Sequence, residues 1–403
     1  MVLKIAWKNI WFKPLNTVLS LVLLTASVAI ISLLILLQNQ FEKQFTSTIE
    51  GVDMVLGAPG SPLQLILSSV YHIDAPTGNI NFKEAKTWMQ HPMVKTAIPM
   101  AFGDSYKGYK ILGTTPEYLK KYNVGLQSGK MFETNFEVVL GHEIARNLDM
   151  KLGDTFFGTH GDAEEGHVHE EFSYKVAGIT EPTGQITDQL IYCTIPSVWA
   201  VHDHSGHGDQ ADESTRENID DDKEITSVLI QFKNKMGLFS WGRLVAQNTK
   251  MMAAMPAIEI NRLFSMFGIG LEALQYLAYG IMLISGISIF IALYNTLKER
   301  KFEFALIRIV GGSSKQLFGM VLFESLLLCL VGFVMGSMLG RLALYVISLN
   351  TTAEFKMSFN PLAIIWDKEG YLFGVTIFVG IIAALIPALK AYRLNISKTL
   401  ANA

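Results

Sequence analysis

The chain has 403 residues, of which 50% are hydrophobic and only 17% charged, and its formal net charge is −3 at pH 7. Soluble proteins carry charge on about a quarter of their residues, so this composition excludes an ordinary soluble protein, and the missing basic excess argues against a nucleic-acid partner. The two cysteines, Cys193 and Cys329, stand far apart, the second inside an apolar run. That usage argues against a disulfide framework.

Taken in chain order, residues 1–14 place Trp7 and Trp11, and likewise Lys4 and Lys8, four apart. A helix here would carry an aromatic and a basic face and lie in the membrane interface before the chain turns inward at Pro14; a disordered tail is the alternative. Residues 15–38 form the first expected span. Leu15 to Leu37 contains no charge and can cross about 30 Å of hydrocarbon. It is long for a signal-peptide core, and no small-x-small site closes it before Gln38-Asn39-Gln40, so it reads as a retained span.

Residues 39–267 form a large α+β domain. Glu137–Gly141, Phe172–Ile179, Gln189–Thr194 and Ile225–Phe232 read as strands. His142–Met150 and Gly237–Thr249 read as helices, with turns at Gly57–Gly60, Thr115-Pro116 and Pro182–Gly184. From Asp203 to Glu224 the chain lacks apolar anchors other than Ile219, and a disordered loop is expected. His160, His167 and His169 stand among acidic residues, as do His202, His204 and His207. His-x-His spacing beside carboxylates suits zinc, copper or nickel; incidental histidines in a solvated acidic loop are the equal alternative.

Three more spans follow, at 271–297, 317–349 and 371–389. Between them lie a charged cytoplasmic segment at 298–316 and a short extracytoplasmic loop at 350–370, and residues 390–403 form a tail. Orientation comes from basic residues in short loops. Lys4, Lys8 and Lys13, then Lys298, Arg300, Lys301, Arg308 and Lys315, then Lys390, Arg393 and Lys398 belong in the cytoplasm. Both termini are then cytoplasmic, and the acidic 39–267 domain lies outside. The third span holds two charges, Glu324 and Arg341, seventeen residues apart. At 1.5 Å per residue they are about 25 Å apart along a helix and cannot pair with each other. Each either snorkels to an interface or contacts the second span or a dimer mate. Gly332, Gly336 and Gly340 form a G-x-x-x-G ladder that permits close helix approach.

The run Lys298-Glu-Arg-Lys-Phe-Glu-Phe-Ala-Leu-Ile-Arg-Ile-Val-Gly-Gly-Ser-Ser-Lys-Gln316 resembles the signature of FtsX/MacB-like ABC transporter permeases. Glu299, Arg300, Glu303, Arg308, Gly311, Gly312, Ser313 and then Glu324 match it. The close of the chain is similar to the family's P-A-x-x-A-x-R at Pro387, Ala388, Ala391 and Arg393. Gly113–Leu119, Ser128–Phe132 and Val139–Arg146 resemble a MacB-type periplasmic core, so the resemblance covers nearly the whole chain.

The resemblance implies a permease subunit of the cell (inner) membrane in a homo- or heterodimer, with 298–316 as the coupling helix to a cytoplasmic ATPase. It further implies motion of the periplasmic domain, with substrates such as lipoproteins, peptides or small toxic molecules, or a periplasmic partner. No G-x-x-x-x-G-K-[ST] occurs in these residues, so ATP would be bound by a separate subunit. No nucleophile elbow or H-E-x-x-H occurs either, so no catalytic residues are assigned. The expected fold class is a membrane protein with four transmembrane helices plus an α+β extracytoplasmic domain. An FtsX-like scaffold that regulates a periplasmic partner, or a metal-binding receptor, are the alternative functions.

Overall fold

The computed structural model describes residues 14–160, 168–204, 223–234, 238–354 and 359–394. The interfacial helix expected over residues 1–14 therefore lies, apart from Pro14, outside the described residues, as do His167, His207 and residues 395–403. The chain divides into two compact units. The described part of one comprises residues 14–41, 265–354 and 359–394; the other comprises the described residues within 42–264.

Helix α1, Pro14–Ile49, supplies residues to both units. The α+β unit continues with β1 (Met54–Gly57), α2 (Pro62–Ser69), β2 (Ile80–Asn81), α3 (Phe82–Met89), β3 (Val94–Tyr106), β4 (Tyr109–Gly113) and α4 (Pro116–Lys121). Next come β5 (Leu126–Gly129), β6 (Glu137–Leu140), α5 (His142–Asn147), β7 (Thr155–His160), β8 (Val168–Thr180), β9 (Ile191–Cys193) and α6 (Ile195–His204). The unit ends with β10 (Glu224–Ile225), β11 (Ser227–Phe232), α7 (Leu238–Asn248) and β12 (Met252–Ala254).

Ten of these strands form one sheet in the order β12-β1-β11-β3-β4-β9-β6-β8-β5, with β7 off the path and paired to β3 and β8. Most neighbours are antiparallel; β4–β9 and β6–β8 are parallel. Central strands read as unbroken apolar runs because both faces are covered: in β11, Val228, Leu229 and Ile230 are all buried. Local chemistry fixes the helix starts. Ser61 accepts the amide of Gln64 at 3.4 Å ahead of Pro62, and Asn81 accepts that of Glu84 at 3.0 Å, as N-caps do.

Of the loop expected from Asp203 to Glu224, residues 205–222 lie outside the described residues, and both ends belong to regular elements. Asp203 and His204 finish α6, and Glu224 pairs with Asn81 in a two-stranded β10–β2 ribbon. The ordering force is pairing with β2, together with Trp199, whose indole donates to the Glu224 carbonyl at 2.6 Å.

A buried polar cluster anchors one end of this unit. The phenol of Tyr71 donates to the Phe45 carbonyl at 2.7 Å, and that of Tyr122 to the Thr48 carbonyl at 3.4 Å. Both acceptors lie in the last turns of α1, and the Thr48 carbonyl is among the last four, which have no helical partner. Next to Tyr71, His72 holds a left-handed backbone, φ 55°. Its Nε2 lies 2.8 Å from the Tyr118 hydroxyl, and its ring contacts Phe102. Burial, reinforced by the Lys110 charge, pushes the imidazole pKa down to about 3, so the ring is neutral at physiological pH.

The helical unit comprises the first part of α1, most of α8 (Pro256–Glu299), α9 (Lys301–Ile309), α10 (Ser314–Glu354) and α11 (Trp366–Tyr392). Among the described residues, α1, α8, α10 and α11 are long and apolar enough to cross a membrane. Leu24, Val28, Met282, Ile289, Val321, Cys329, Ala384 and Ala388 share its core. Each of these four helices runs past the expected span at one end or both, because hydropathy marks the hydrocarbon and not the helix end. The architecture is a four-helix membrane protein with an α+β domain.

His72 gives this fold a pH dependence of definite sign. Its folded pKa lies below the unfolded value of about 6.5, so below that pH the unfolded chain binds a proton that the native chain refuses. Its effect is absent above about pH 6.5, and stability falls progressively as pH drops towards 3. At pH 5.5 the loss is about 1 kcal/mol. Thermal unfolding of the full chain in detergent should therefore show a lower transition at pH 5.5 than at pH 7. In His72→Asn, which tolerates the left-handed backbone, that difference should shrink.

Candidate functional site

The charged segment after α8 is divided among three helices and does not form one. Lys298 and Glu299 end α8. Arg300 leaves helical geometry (φ −96°, ψ 15°) and begins α9. Its guanidinium pairs with Glu303, with Nε 2.7 Å from Oε2, and lies over the Phe304 ring at 5.9 Å.

At the other end of α9, the Gly312 amide donates to the Ile307 carbonyl at 2.8 Å and the Gly311 amide to the Arg308 carbonyl at 3.3 Å. This is the Schellman pattern, and it requires the φ of +102° that Gly311 adopts. A Cβ at Gly312 would come within 2.7 Å of the Ile307 carbonyl oxygen. Arg308 Nη1 donates to the Gly312 carbonyl at 3.4 Å. Ser313 then caps α10: its Oγ accepts the Gln316 amide at 3.2 Å, and Gln316 Oε1 accepts the Ser313 amide at 2.8 Å. That reciprocal pair is a capping box. The seven matched residues, Glu299, Arg300, Glu303, Arg308, Gly311, Gly312 and Ser313, thus build two corners around a nine-residue helix.

The helix is apolar on two sides. Phe304 and Ala305 are buried, and Phe304 belongs to the core of the helical unit. Phe302, Leu306, Ile309 and Val310 are exposed, Val310 at 88%. Their spacing, i, i+4, i+7 and i+8, places them on one face. Charge, helix propensity and the glycine stop do not point to this face; the spacing of these four residues is the signal in the sequence that does.

Arg341 finds its charged partner within the helical unit. Its Nη2 lies 2.7 and 2.9 Å from the two Glu369 carboxylate oxygens, in the first turn of α11, and its Nη1 donates to Ser337 Oγ at 2.5 Å. Glu369 falls within the segment expected as the 350–370 loop, whereas α11 begins at Trp366 and carries it in its first turn. Glu324 lies buried in α10, remote from Arg341 along that helix.

Gly332, Gly336 and Gly340 face α1. A Cβ at Gly336 would come within 2.7 Å of Val28 Cβ and 2.8 Å of the Thr25 carbonyl oxygen; at Gly340 it would meet the Ala29 carbonyl oxygen at 2.8 Å. Backbone-to-backbone contact of this kind needs glycine. Towards α11, Ser325 Oγ donates to the Gly380 carbonyl at 2.8 Å, and Ser20 and Ser288 hydroxyls meet at 2.9 Å between α1 and α8.

Of the histidines, His160 ends β7 and pairs in register with Asp104, His169 lies in β8, and His202 and His204 lie at the end of α6. Among the described residues, no three His, Cys, Asp or Glu side chains are grouped to hold a metal.

Two family models match the chain: the MacB-like periplasmic core domain over residues 17–235 and the FtsX-like permease C-terminal region over residues 276–396. The chain belongs to the FtsX/MacB-like permease family. It is 22% identical over 301 residues to an uncharacterized ABC transporter permease of Methanocaldococcus jannaschii, covering 72% of this chain and 69% of that protein. Among solved structures, the periplasmic region of MacB from Actinobacillus actinomycetemcomitans is similar at 12% identity and a TM-score of 0.35, over 54% of this chain and 97% of that one. The extracellular domain of the transporter YknZ from Gram-positive bacteria is similar at 14% identity and a TM-score of 0.31, over 50% and 98%.

The contact between α10 and α1 sets a test. Gly336→Leu should lower thermal stability of the purified chain by the equivalent of about 1–3 kcal/mol, the usual cost of overpacking. Gly319→Leu, at a position with open space around it, should leave it near wild type. Equal effects would mean that the ladder does not hold the two helices together.

Proposed function

We propose that this chain is the permease subunit of an ABC transporter whose ATPase is a separate protein. The ATPase grips α9 from the cytoplasm and drives motion of the α+β domain outside the membrane. One observation carries the reading. α9 is locked to the helical core through Phe304 and Ala305 and leaves Phe302, Leu306, Ile309 and Val310 uncovered. An amphipathic helix offered this way fits a hydrophobic groove on a partner, and its rigid corners suit it to pass on force. The basic residues of this segment and of the two termini support a cytoplasmic position. Two permease subunits, identical or related, pair around the ATPase dimer, and the moving domain acts on an envelope substrate. The proposal includes no ATP hydrolysis by the chain itself. Regulation of a periplasmic partner by the same motion is the second reading, since the coupling geometry serves both.

The histidine segments add a metal-linked role to this reading: His160, His167, His169, His202, His204 and His207 bind Zn²⁺ or a similar divalent ion with neighbouring carboxylates. The support is their His-x-His spacing.

Both parts are testable. With the cognate ATPase co-expressed, Leu306→Glu combined with Val310→Glu should reduce its co-purification at least tenfold while leaving the thermal transition of the permease unchanged. Retained ATPase would refute the grip at α9. For the histidines, calorimetric titration of the full chain with Zn²⁺ should give micromolar binding or tighter. Binding that survives replacement of all six would remove the proposed site.

A further inference from the structure

The connection between α10 and α11 falls in the segment expected as a short extracytoplasmic loop, and its described part is residues 359–365. Most of its backbone amides, and the carbonyls of Phe359, Asn360, Ala363 and Ile365, are engaged from within the chain. Phe359 exchanges both backbone bonds with Ser348 Oγ, at 3.0 and 3.2 Å. Asn360 exchanges both of its own with the Gln40 side chain of α1, at 2.7 and 2.9 Å. The Leu362 amide donates to Asn360 Oδ1 at 3.0 Å, and the Ala363 amide to the Asn360 carbonyl at 3.3 Å. The Ala363 carbonyl accepts from Arg341 at 3.5 Å; the Ile365 amide donates to Glu369 at 3.4 Å, and the Ile365 carbonyl accepts the Glu369 amide at 2.9 Å. Pro361 has no amide to satisfy.

The side chains follow the opposite rule. Alternate residues are exposed and apolar: Leu362 at 81%, Ile364 at 54% and Trp366 at 78%. Between them, Ala363 and Ile365 are half-buried. A water-facing loop has no need to bond its own backbone, because water does so, and it pays for exposed Leu, Ile and Trp. Lipid reverses both terms: unsatisfied backbone is costly there and apolar side chains are solvated.

We infer that residues 362–366 are an interfacial anchor, a clamped backbone that presents Leu362, Ile364 and Trp366 to phospholipid at the end of the helical unit remote from α9. Continuity with the helix that follows favours lipid over a protein occupant. Tyr371, Phe378, Ile382, Leu385 and Leu389 extend the exposed apolar surface along α11. The exposed Asp367 and half-buried Lys368 beside Trp366 give the mixed aromatic and charged character of headgroup depth. Arg341 and Glu369, as an ion pair with restricted exposure, hold the anchor in place without a free charge entering the apolar layer. Assignment to the outer leaflet rests on the orientation proposed above; burial in lipid does not.

The two native cysteines are buried, so a nitroxide can be placed at Leu362→Cys or Ile364→Cys of the full chain. In vesicles of phosphatidylethanolamine and phosphatidylglycerol, oxygen should relax both labels more than a water-soluble nickel chelate does. The depth should be about 5–10 Å below the phosphates, as for interfacial segments. Leu152→Cys, exposed on the α+β unit, should show the reverse order. Nickel exceeding oxygen at 362 and 364 would place the loop in water and overturn the anchor. Labels shielded from both reagents would overturn it in favour of a second copy or another protein. Retention of the ATPase by Leu362→Cys in any of these outcomes would show that α9 coupling stands or falls separately.

Discussion

Hydrocarbon offers no hydrogen-bond partner, and this constraint shapes the polar contacts between helices of the helical unit. Helices in lipid also gain little from burying apolar side chains against one another, since lipid tails solvate leucine equally well. Association must come from close packing and from polar groups that find each other. The glycine ladder supplies the first by letting the α10 and α1 backbones touch. The Ser20–Ser288 and Ser325–Gly380 bonds and the Arg341–Glu369 pair supply the second. An arginine in this position would otherwise be a liability; matched to both oxygens of Glu369, it joins α10 to the first turn of α11.

The α+β unit answers to water instead. Its core forms because a ten-stranded sheet removes Val, Ile and Leu side chains from solvent. It can therefore keep a neutral imidazole and several phenols buried, provided each has a neighbour that accepts or donates. Tyr71 and Tyr122 use this freedom at the end of α1, where they donate to the carbonyls of Phe45 and Thr48. One helix thus carries residues suited to two solvents: apolar and small along its first part, and bonded to phenols at its last turns.

The spans were legible because long uncharged runs have one cheap environment. So were β6 and β11, where a short apolar run is bounded by turn chemistry, and the α7 helix that follows β11. The strand order was not legible, since pairing such as β4 with β9 joins residues about eighty apart in sequence and leaves no local trace. The partner of Arg341 was missed for a related reason. Charge in a span signals that some partner is needed, but which one depends on where α11 begins, and Trp366-Asp367-Lys368-Glu369 looked like loop. Around α9, residues 298–310 are expected as one helix stopped by Gly311-Gly312; the stop stands, and the start lies at Arg300 instead of Lys298. The break at Arg300 and the apolar stripe came from backbone geometry and exposure that composition does not encode.

The corner between α9 and α10 has a mechanical consequence. Gly311, Gly312 and Ser313 each have their backbone amide engaged, by Arg308, Ile307 and Gln316 respectively, so the turn has little slack in which to dissipate work. A load on α9 would reach α10 as a change of tilt, with the stiffness of a bracket and not of a tether. Because α10 lies so close to α1 at Gly336 and Gly340 that a Cβ there would meet α1 carbonyl oxygens, such a tilt, in the proposed coupling, would carry α1 with it.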